Sequence, residues 1–152
     1  MKGLVLTIGA VAVVALSLTF GLGAASASSS SASASTKVGT ASSQLGRILV
    51  DAHGRTLYLF AKDKKGKSAC SGACAAYWPP VIASGKPRAV AGAKASLLGT
   101  TRRADGRLQV TYRHHPLYRY AGDAGKGMTG GQGLDDFGGK WWVLSPAGNK
   151  IV

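Results

Sequence analysis

Three histidines and one methionine are the side chains in this sequence best suited to metal chemistry. Imidazole nitrogens and a thioether sulfur are ligands that suit copper. One hypothesis from the sequence is therefore a metal (copper) or redox accessory protein. The other reading is that all three histidines fall in predicted hairpin turns, where a polar residue is expected in any case. The four candidate ligands are His53, His114, His115 and Met128.

The sequence does not indicate a catalytic site. It contains no Glu, and its only adjacent carboxylates, Asp135 and Asp136, lie in a glycine-rich stretch. Neither a Gly-x-Ser-x-Gly motif nor a His-Glu-x-x-His motif is present. Because no pattern brings a nucleophile and a base together, we expect a protein that is not an enzyme and has no cofactor.

The N-terminal region has the pattern of an export signal. Lys2 precedes an apolar run over residues 3–21, and Ala25-Ser26-Ala27 fits a signal-peptidase site, which predicts a signal peptide over residues 1–27. An uncleaved membrane anchor is the competing interpretation. Residues 28–44 are rich in Ser and Ala, and we expect a flexible tether there. A single domain should then occupy residues 45–152.

The only two cysteines are Cys70 and Cys74. In an exported protein an isolated pair favours a disulfide over a reduced metal site. The spacing allows the bond if the segment makes one helical or tight turn, which brings the two Cα atoms close enough. We therefore predict a disulfide that stiffens this segment locally.

The chain is strongly basic. Its formal net charge is +13 at pH 7, and removal of Lys2 with the signal peptide leaves +12. Such a surface favours contact with anionic cell-wall or membrane-surface polymers, although the charge can also serve only to keep an exported domain soluble. No nucleic-acid-binding motif is present, so we expect no specific nucleic acid. We expect a monomer, and the sequence indicates no protein partner.

One segment occurs twice, sixty positions apart. Residues 57–63 read Leu-Tyr-Leu-Phe-Ala-Lys-Asp, and residues 117–123 read Leu-Tyr-Arg-Tyr-Ala-Gly-Asp. Such an internal repeat predicts two copies that pack on one another, because one copy is too small to bury a core. The shared motif residues are Tyr58, Phe60, Asp63, Tyr118, Tyr120 and Asp123.

The residues around the repeat predict strands rather than helices. Each copy should form a hairpin, with strands over 47–50 and 56–60 in the first and over 108–112 and 116–120 in the second. A short helical turn is predicted over 73–77 and a last strand over 140–144. We therefore expect an all-β domain, a small sandwich or barrel-like unit with little helix, whose pseudo-repeats cover about 46–82 and 106–148.

Several motifs in one order resemble a known bacterial family. They are the two Tyr-x-aromatic-x-x-Asp segments, the Cys70-to-Pro80 segment with its Trp78-Pro79-Pro80, the Gly131-Gln132-Gly133 loop and the Trp141-Trp142 strand. Together they resemble the "secreted repeat of unknown function" family over about residues 45–148. The resemblance implies a secreted or cell-envelope location and no established activity. Many relatives are lipid-anchored, whereas this chain lacks a lipobox cysteine, which favours release.

Overall fold

The structure, a computed structural model, describes residues 35–152. The predicted signal peptide, 1–27, and the first part of the predicted tether, 28–34, lie outside the described residues. Within the described range the chain forms nine short strands, one five-residue α-helix, α1 (Ala73–Tyr77), and one 3₁₀ turn (Ala95–Leu97). The strands are β1 (Lys37–Ser43), β2 (Gly46–Asp51), β3 (Tyr58–Phe60), β4 (Arg88–Ala89), β5 (Leu98–Arg102), β6 (Leu108–Tyr112), β7 (His115–Pro116), β8 (Asp135–Asp136) and β9 (Gly139–Val143).

The strands form three small sheets. Their orders are β2-β1-β4, β3-β9-β8 and β5-β6-β7. The predicted all-β domain with little helix and two repeats is confirmed. The three sheets of the described range do not close into a barrel.

Of the tether predicted over residues 28–44, the first strand corrects the part from Lys37 to Ser43. β1 pairs antiparallel with β2 along its whole length, from Val38 opposite Asp51 to Ser43 opposite Gly46. Val38 is fully buried. The tether was predicted from the Ser- and Ala-rich composition alone, which measures only how much apolar surface the segment can bury. A strand of Thr, Gly, Ala and Ser needs little apolar area of its own when a neighbouring strand supplies its backbone hydrogen bonds.

The first predicted hairpin forms only as a short pair. β2 and the returning segment share a bridge between Val50 and Thr56, and backbone hydrogen bonds run from the amide of Asp51 to the carbonyl of Arg55 and from the amide of Leu57 to the carbonyl of Leu49. β3 pairs instead with β9. Every residue of β3 is buried, and a strand with large side chains on both faces needs cover on both sides. The second hairpin forms as a short pair, in which Tyr112 lies opposite His115 at the turn between β6 and β7.

Helix α1 begins after Gly72 and lies where the sequence predicted a helical turn. Cys70 and Cys74 are joined by a disulfide, their Cα atoms 5.3 Å apart, and both residues are buried. The helix ends at Tyr77 with Trp78 as its C-cap, and the following Pro79-Pro80 cannot continue it. In the part of the chain that the structure describes, no helix has the length and apolar character to cross a membrane.

Four aromatic rings form a column in the core, and the two repeats supply them alternately. Phe60 stacks on Trp141 at 4.1 Å between ring centroids, and Trp141 stacks on Trp78 at 3.9 Å. Tyr120 packs against Trp78 at 4.5 Å with its plane tilted by 33°. Phe60 and Trp78 belong to the first repeat, and Trp141 and Tyr120 to the second. Each such pair adds about 0.5–1.5 kcal/mol beyond the area it buries. Separating the repeats would therefore expose every ring of the column.

Gly131 should be irreplaceable at the edge of this column. A Cβ atom there would lie 2.7 Å from Cη2 of Trp78 and 3.0 Å from Cε1 of Tyr58. We expect Gly131→Ala to lower the free energy of unfolding by about 1–3 kcal/mol, because packed aromatic rings cannot move aside cheaply. The control is Gly125→Ala, whose Cβ meets only Met128 at an ordinary 3.5 Å. Equal urea midpoints for the two variants would refute the packing argument.

Candidate functional site

The two copies of the motif complete one another through what we call the crossed Tyr–Asp pairs. The hydroxyl of Tyr58 donates to Oδ2 of Asp123 at 2.5 Å, and the hydroxyl of Tyr118 donates to Oδ2 of Asp63 at 2.9 Å. The two tyrosines also exchange backbone hydrogen bonds, at 2.9 and 3.0 Å. Each repeat therefore supplies the tyrosine that satisfies the carboxylate of the other.

The second oxygen of each carboxylate holds the loop that follows it. Oδ1 of Asp63 accepts from the amide of Ala69 at 2.7 Å, and Oδ1 of Asp123 accepts from the amide of Gly130 at 2.9 Å. The internal repeat predicted copies that pack on one another, and it did not predict that each copy supplies the tyrosine partner for the carboxylate of the other. The motif thus joins the repeats and orders two loops at once.

Burial controls the ionisation of these groups. It raises the pKa of Asp63 to about 6, against the lowering effect of the donors Ala69 and Tyr118. Burial also raises the pKa of Asp123. It raises the pKa of Tyr58 and Tyr118 well above the ordinary value, and the neighbouring carboxylates add to the shift. Both phenols therefore stay protonated and act as donors.

One cleft beside Asp63 is lined by several basic and hydroxyl side chains, and we call it the basic cleft. Its volume is about 500 Å³. Two lysines and two histidines line it together with three threonines. The lining residues are Asp63, Lys65, Gly66, Lys67, Thr100, Thr101, Thr111, His114, His115 and Pro116.

The basic cleft is built on backbone that bulky side chains rarely adopt. Lys65, Arg113 and His114 have positive φ angles of 53°, 47° and 65°. Such conformations persist only where the surrounding structure enforces them, and they concentrate at functional sites. The half-buried His115 lies at the same turn, where burial and the nearby Arg113 and His114 lower its pKa. This imidazole therefore gains its charge only below its ordinary range.

A smaller cleft of about 330 Å³ lies at the corresponding place of the other repeat. His53, Arg55 and Lys126 line it, with Ala124 and Gly125. Here the turn of the first repeat meets the loop after Asp123, just as the turn of the second repeat meets the loop after Asp63 in the basic cleft. The two clefts are thus counterparts with different side chains.

The structure separates the four candidate metal ligands. His114 and His115 line the basic cleft, whereas His53 lines the smaller one. Met128 lines neither cleft, and its carbonyl accepts from the hydroxyl of Thr56. Within residues 35–152, no group of three or more His, Cys, Asp or Glu side chains lies close enough to hold a metal ion.

A comparison with known families decides what the chain is related to. A family model described as a secreted repeat of unknown function matches residues 39–82 and 99–145. The chain belongs to this family. No match to the chain was found among the curated proteins or among the solved structures.

Both matched segments of the secreted repeat contain one tyrosine and one aspartate of the crossed pairs. The first segment also begins inside β1, so this strand belongs to the repeat rather than to a tether. The description of the family supports an extracellular location in general. In the secreted repeat, the motif therefore coincides with the residues that bind one copy to the other.

Arg103 is a site residue that sequence reasoning missed. Its side chain is buried, and its Nη1 donates to Oε1 of Gln109 at 2.7 Å and to Oγ of Ser68 at 2.9 Å. Its Nη2 donates to the carbonyl of Cys70 at 2.7 Å. The signal was Gln109, a polar residue inside a strand where the first repeat has Leu49. A polar side chain at a core position needs a buried partner.

Removing one hydroxyl of the crossed pairs should destabilise the protein. In Tyr58→Phe the buried Asp123 loses a charge-assisted donor, and we expect the free energy of unfolding to fall by about 1.5–3 kcal/mol. Tyr77→Phe is the matched control, since Tyr77 is 61% exposed. Urea unfolding of both variants checks this. Similar midpoints would show that the Tyr58 hydroxyl contributes nothing.

The raised pKa of Asp63 predicts how stability depends on pH. The folded protein holds this proton up to pH 6 or so, whereas the unfolded chain releases it at about pH 4. The folded state therefore binds more protons between these values, and this contribution to stability is lost as the pH rises through about 6. Urea unfolding at several pH values should show the wild type losing stability relative to Asp63→Asn across this window. A constant difference would contradict the assignment.

Proposed function

We propose that the protein is an exported, non-catalytic binding module whose basic cleft holds the phosphate or carboxylate groups of anionic cell-envelope polymers. The observation that carries this proposal is the composition of the cleft, with two exposed lysines, two histidines and three threonines around one carboxyl. Lysine ammonium groups attract anions, and threonine hydroxyls donate hydrogen bonds to their oxygens.

The one acidic side chain in the cleft, Asp63, repels an incoming anion only weakly. Both oxygens of Asp63 already accept hydrogen bonds, from Tyr118 and from the amide of Ala69. Its raised pKa also means that part of its negative charge is lost near pH 6. The carboxylate thus opposes an incoming anion less than an exposed aspartate would.

The charge of the whole chain supports the same function. A net charge of +13 raises the local concentration of polyanions around the protein, and the effect weakens as salt increases. The histidines of the basic cleft serve this function as N–H donors to the oxygens of the anion. The separated candidate ligands leave the copper or redox hypothesis with less support than anion binding.

Calorimetric titration with poly(glycerol phosphate) tests the proposal. We expect Lys65→Ala/Lys67→Ala to weaken binding at least tenfold, because both ammonium groups of the cleft are removed. The control, Lys37→Ala/Lys86→Ala, removes the same charge at exposed positions outside the cleft and should lose about threefold or less. Equal losses of affinity in the two double variants would mean that net charge alone causes binding and would refute the cleft as the binding site.

Binding should also strengthen on acidification. As the pH falls from 7 to 5, Asp63 loses its negative charge, so the cleft becomes more positive. Titrations at pH 5, 6 and 7 should show rising affinity in the wild type and a smaller rise in Asp63→Asn. Affinity that is the same at all three pH values would contradict the role given to the cleft.

A further inference from the structure

Two exposed aromatic rings lie side by side outside both clefts, and we call them the aromatic pair. They are Tyr77, the last residue of α1, and Phe137, in the turn between β8 and β9. The two residues are 61% and 42% exposed, and their ring centroids lie 5.9 Å apart with planes inclined at 43°. Adjacent exposed aromatic rings of this kind mark an interaction surface.

The backbone of Phe137 is strained although its side chain is exposed, so the strain is not the result of packing the ring into the core. Asp136 pairs with Gly139, so Phe137 and Gly138 form a two-residue turn, with φ angles of 57° and 81°. Asn, Asp or Gly normally occupies the first position of such a turn, and a bulky side chain there is an outlier. A phenylalanine that is both strained and exposed indicates a role in binding.

The surrounding structure fixes the backbone that carries both rings. The indole nitrogen of Trp141 donates to the carbonyl of Asp136 at 3.2 Å, which fixes the turn to the aromatic column. Nζ of Lys62 donates to the carbonyl of Phe137 at 3.4 Å. The carbonyl of Tyr77 accepts from the amide of Ala121 at 2.8 Å. The pair therefore presents a rigid surface that loses little entropy on binding.

The charges around the pair nearly balance, in contrast to the rest of the chain. Nζ of Lys140 lies 3.6 Å from a carboxylate oxygen of Asp135, and Lys62 and Asp136 flank Phe137. Two of the six carboxylates of the chain thus lie in the hairpin that carries Phe137. This local balance favours an uncharged ligand over an anionic membrane or polymer.

We propose that the aromatic pair binds the sugar rings of a neutral glycan. A pyranose ring has apolar C–H faces that stack on aromatic rings, and its hydroxyls can pair with the flanking lysine and aspartate groups. This site is separate from the basic cleft and does not depend on anion binding there. The protein would then contact one polymer through charge and another through stacking.

The test uses a hexamer of β-1,4-linked N-acetylglucosamine as the neutral probe, titrated into the protein and followed by NMR. We expect Phe137→Asn to weaken binding at least tenfold and to raise Tm by a few degrees, because Asn tolerates the left-handed backbone that strains Phe. Tyr77→Ala should weaken binding similarly. The control is Leu108→Thr, which changes another exposed apolar residue (39%) outside the pair.

Opposite movement of Tm and affinity in Phe137→Asn excludes misfolding as the cause of lost binding. Unchanged affinity in Phe137→Asn and Tyr77→Ala would overturn the proposal. It would also be overturned if the hexamer did not bind while vesicles of neutral phosphatidylcholine did, or while the wild type formed a dimer that Phe137→Asn abolished. Loss of binding in Leu108→Thr to the same extent would likewise overturn it.

Discussion

Tyr58 and Tyr118 meet at the centre of the domain, bonded backbone to backbone, and each hydroxyl satisfies the carboxylate of the other repeat. A buried carboxylate without a donor would cost far more than the net gain of an ordinary hydrogen bond. Without the other repeat, Asp63 and Asp123 would each lose the tyrosine hydroxyl and keep only the amide donor of their own loop. This exchange makes the two copies one cooperative unit rather than two domains.

The clefts depend on the same exchange. Each carboxylate also fixes the loop that follows it, and that loop meets the hairpin turn of the other repeat. The shared framework thus produces two counterpart clefts, and the side chains placed on the turns and loops decide their chemistry. One became the basic cleft with Lys65 and Lys67, which carries the proposed function. Binding chemistry can vary here while the pairs that hold the repeats together stay the same.

Much of the architecture could be predicted from the sequence, because a repeat and β-rich patterns are local signals. The helical turn and the family resemblance followed from short motifs. Strand partners did not, since β3 pairs with β9 some eighty residues away and no local pattern specifies that choice. The strand β1 was missed because it is ordered by backbone hydrogen bonds to β2 rather than by burial of its own apolar side chains. The crossed Tyr–Asp pairs and the division of the histidines between the two clefts also depend on contacts between residues far apart in sequence, which no local pattern specifies.

Native-state hydrogen exchange of the backbone amides of Tyr58 and Tyr118 tests the central claim most directly. These amides bond to each other across the repeats, and the claim is that neither repeat holds its structure without the other. We predict that both exchange only through global unfolding, with equal free energies that match urea unfolding. A repeat whose amides, such as that of Ala69 or Gly130, stay protected while the other repeat opens would contradict it.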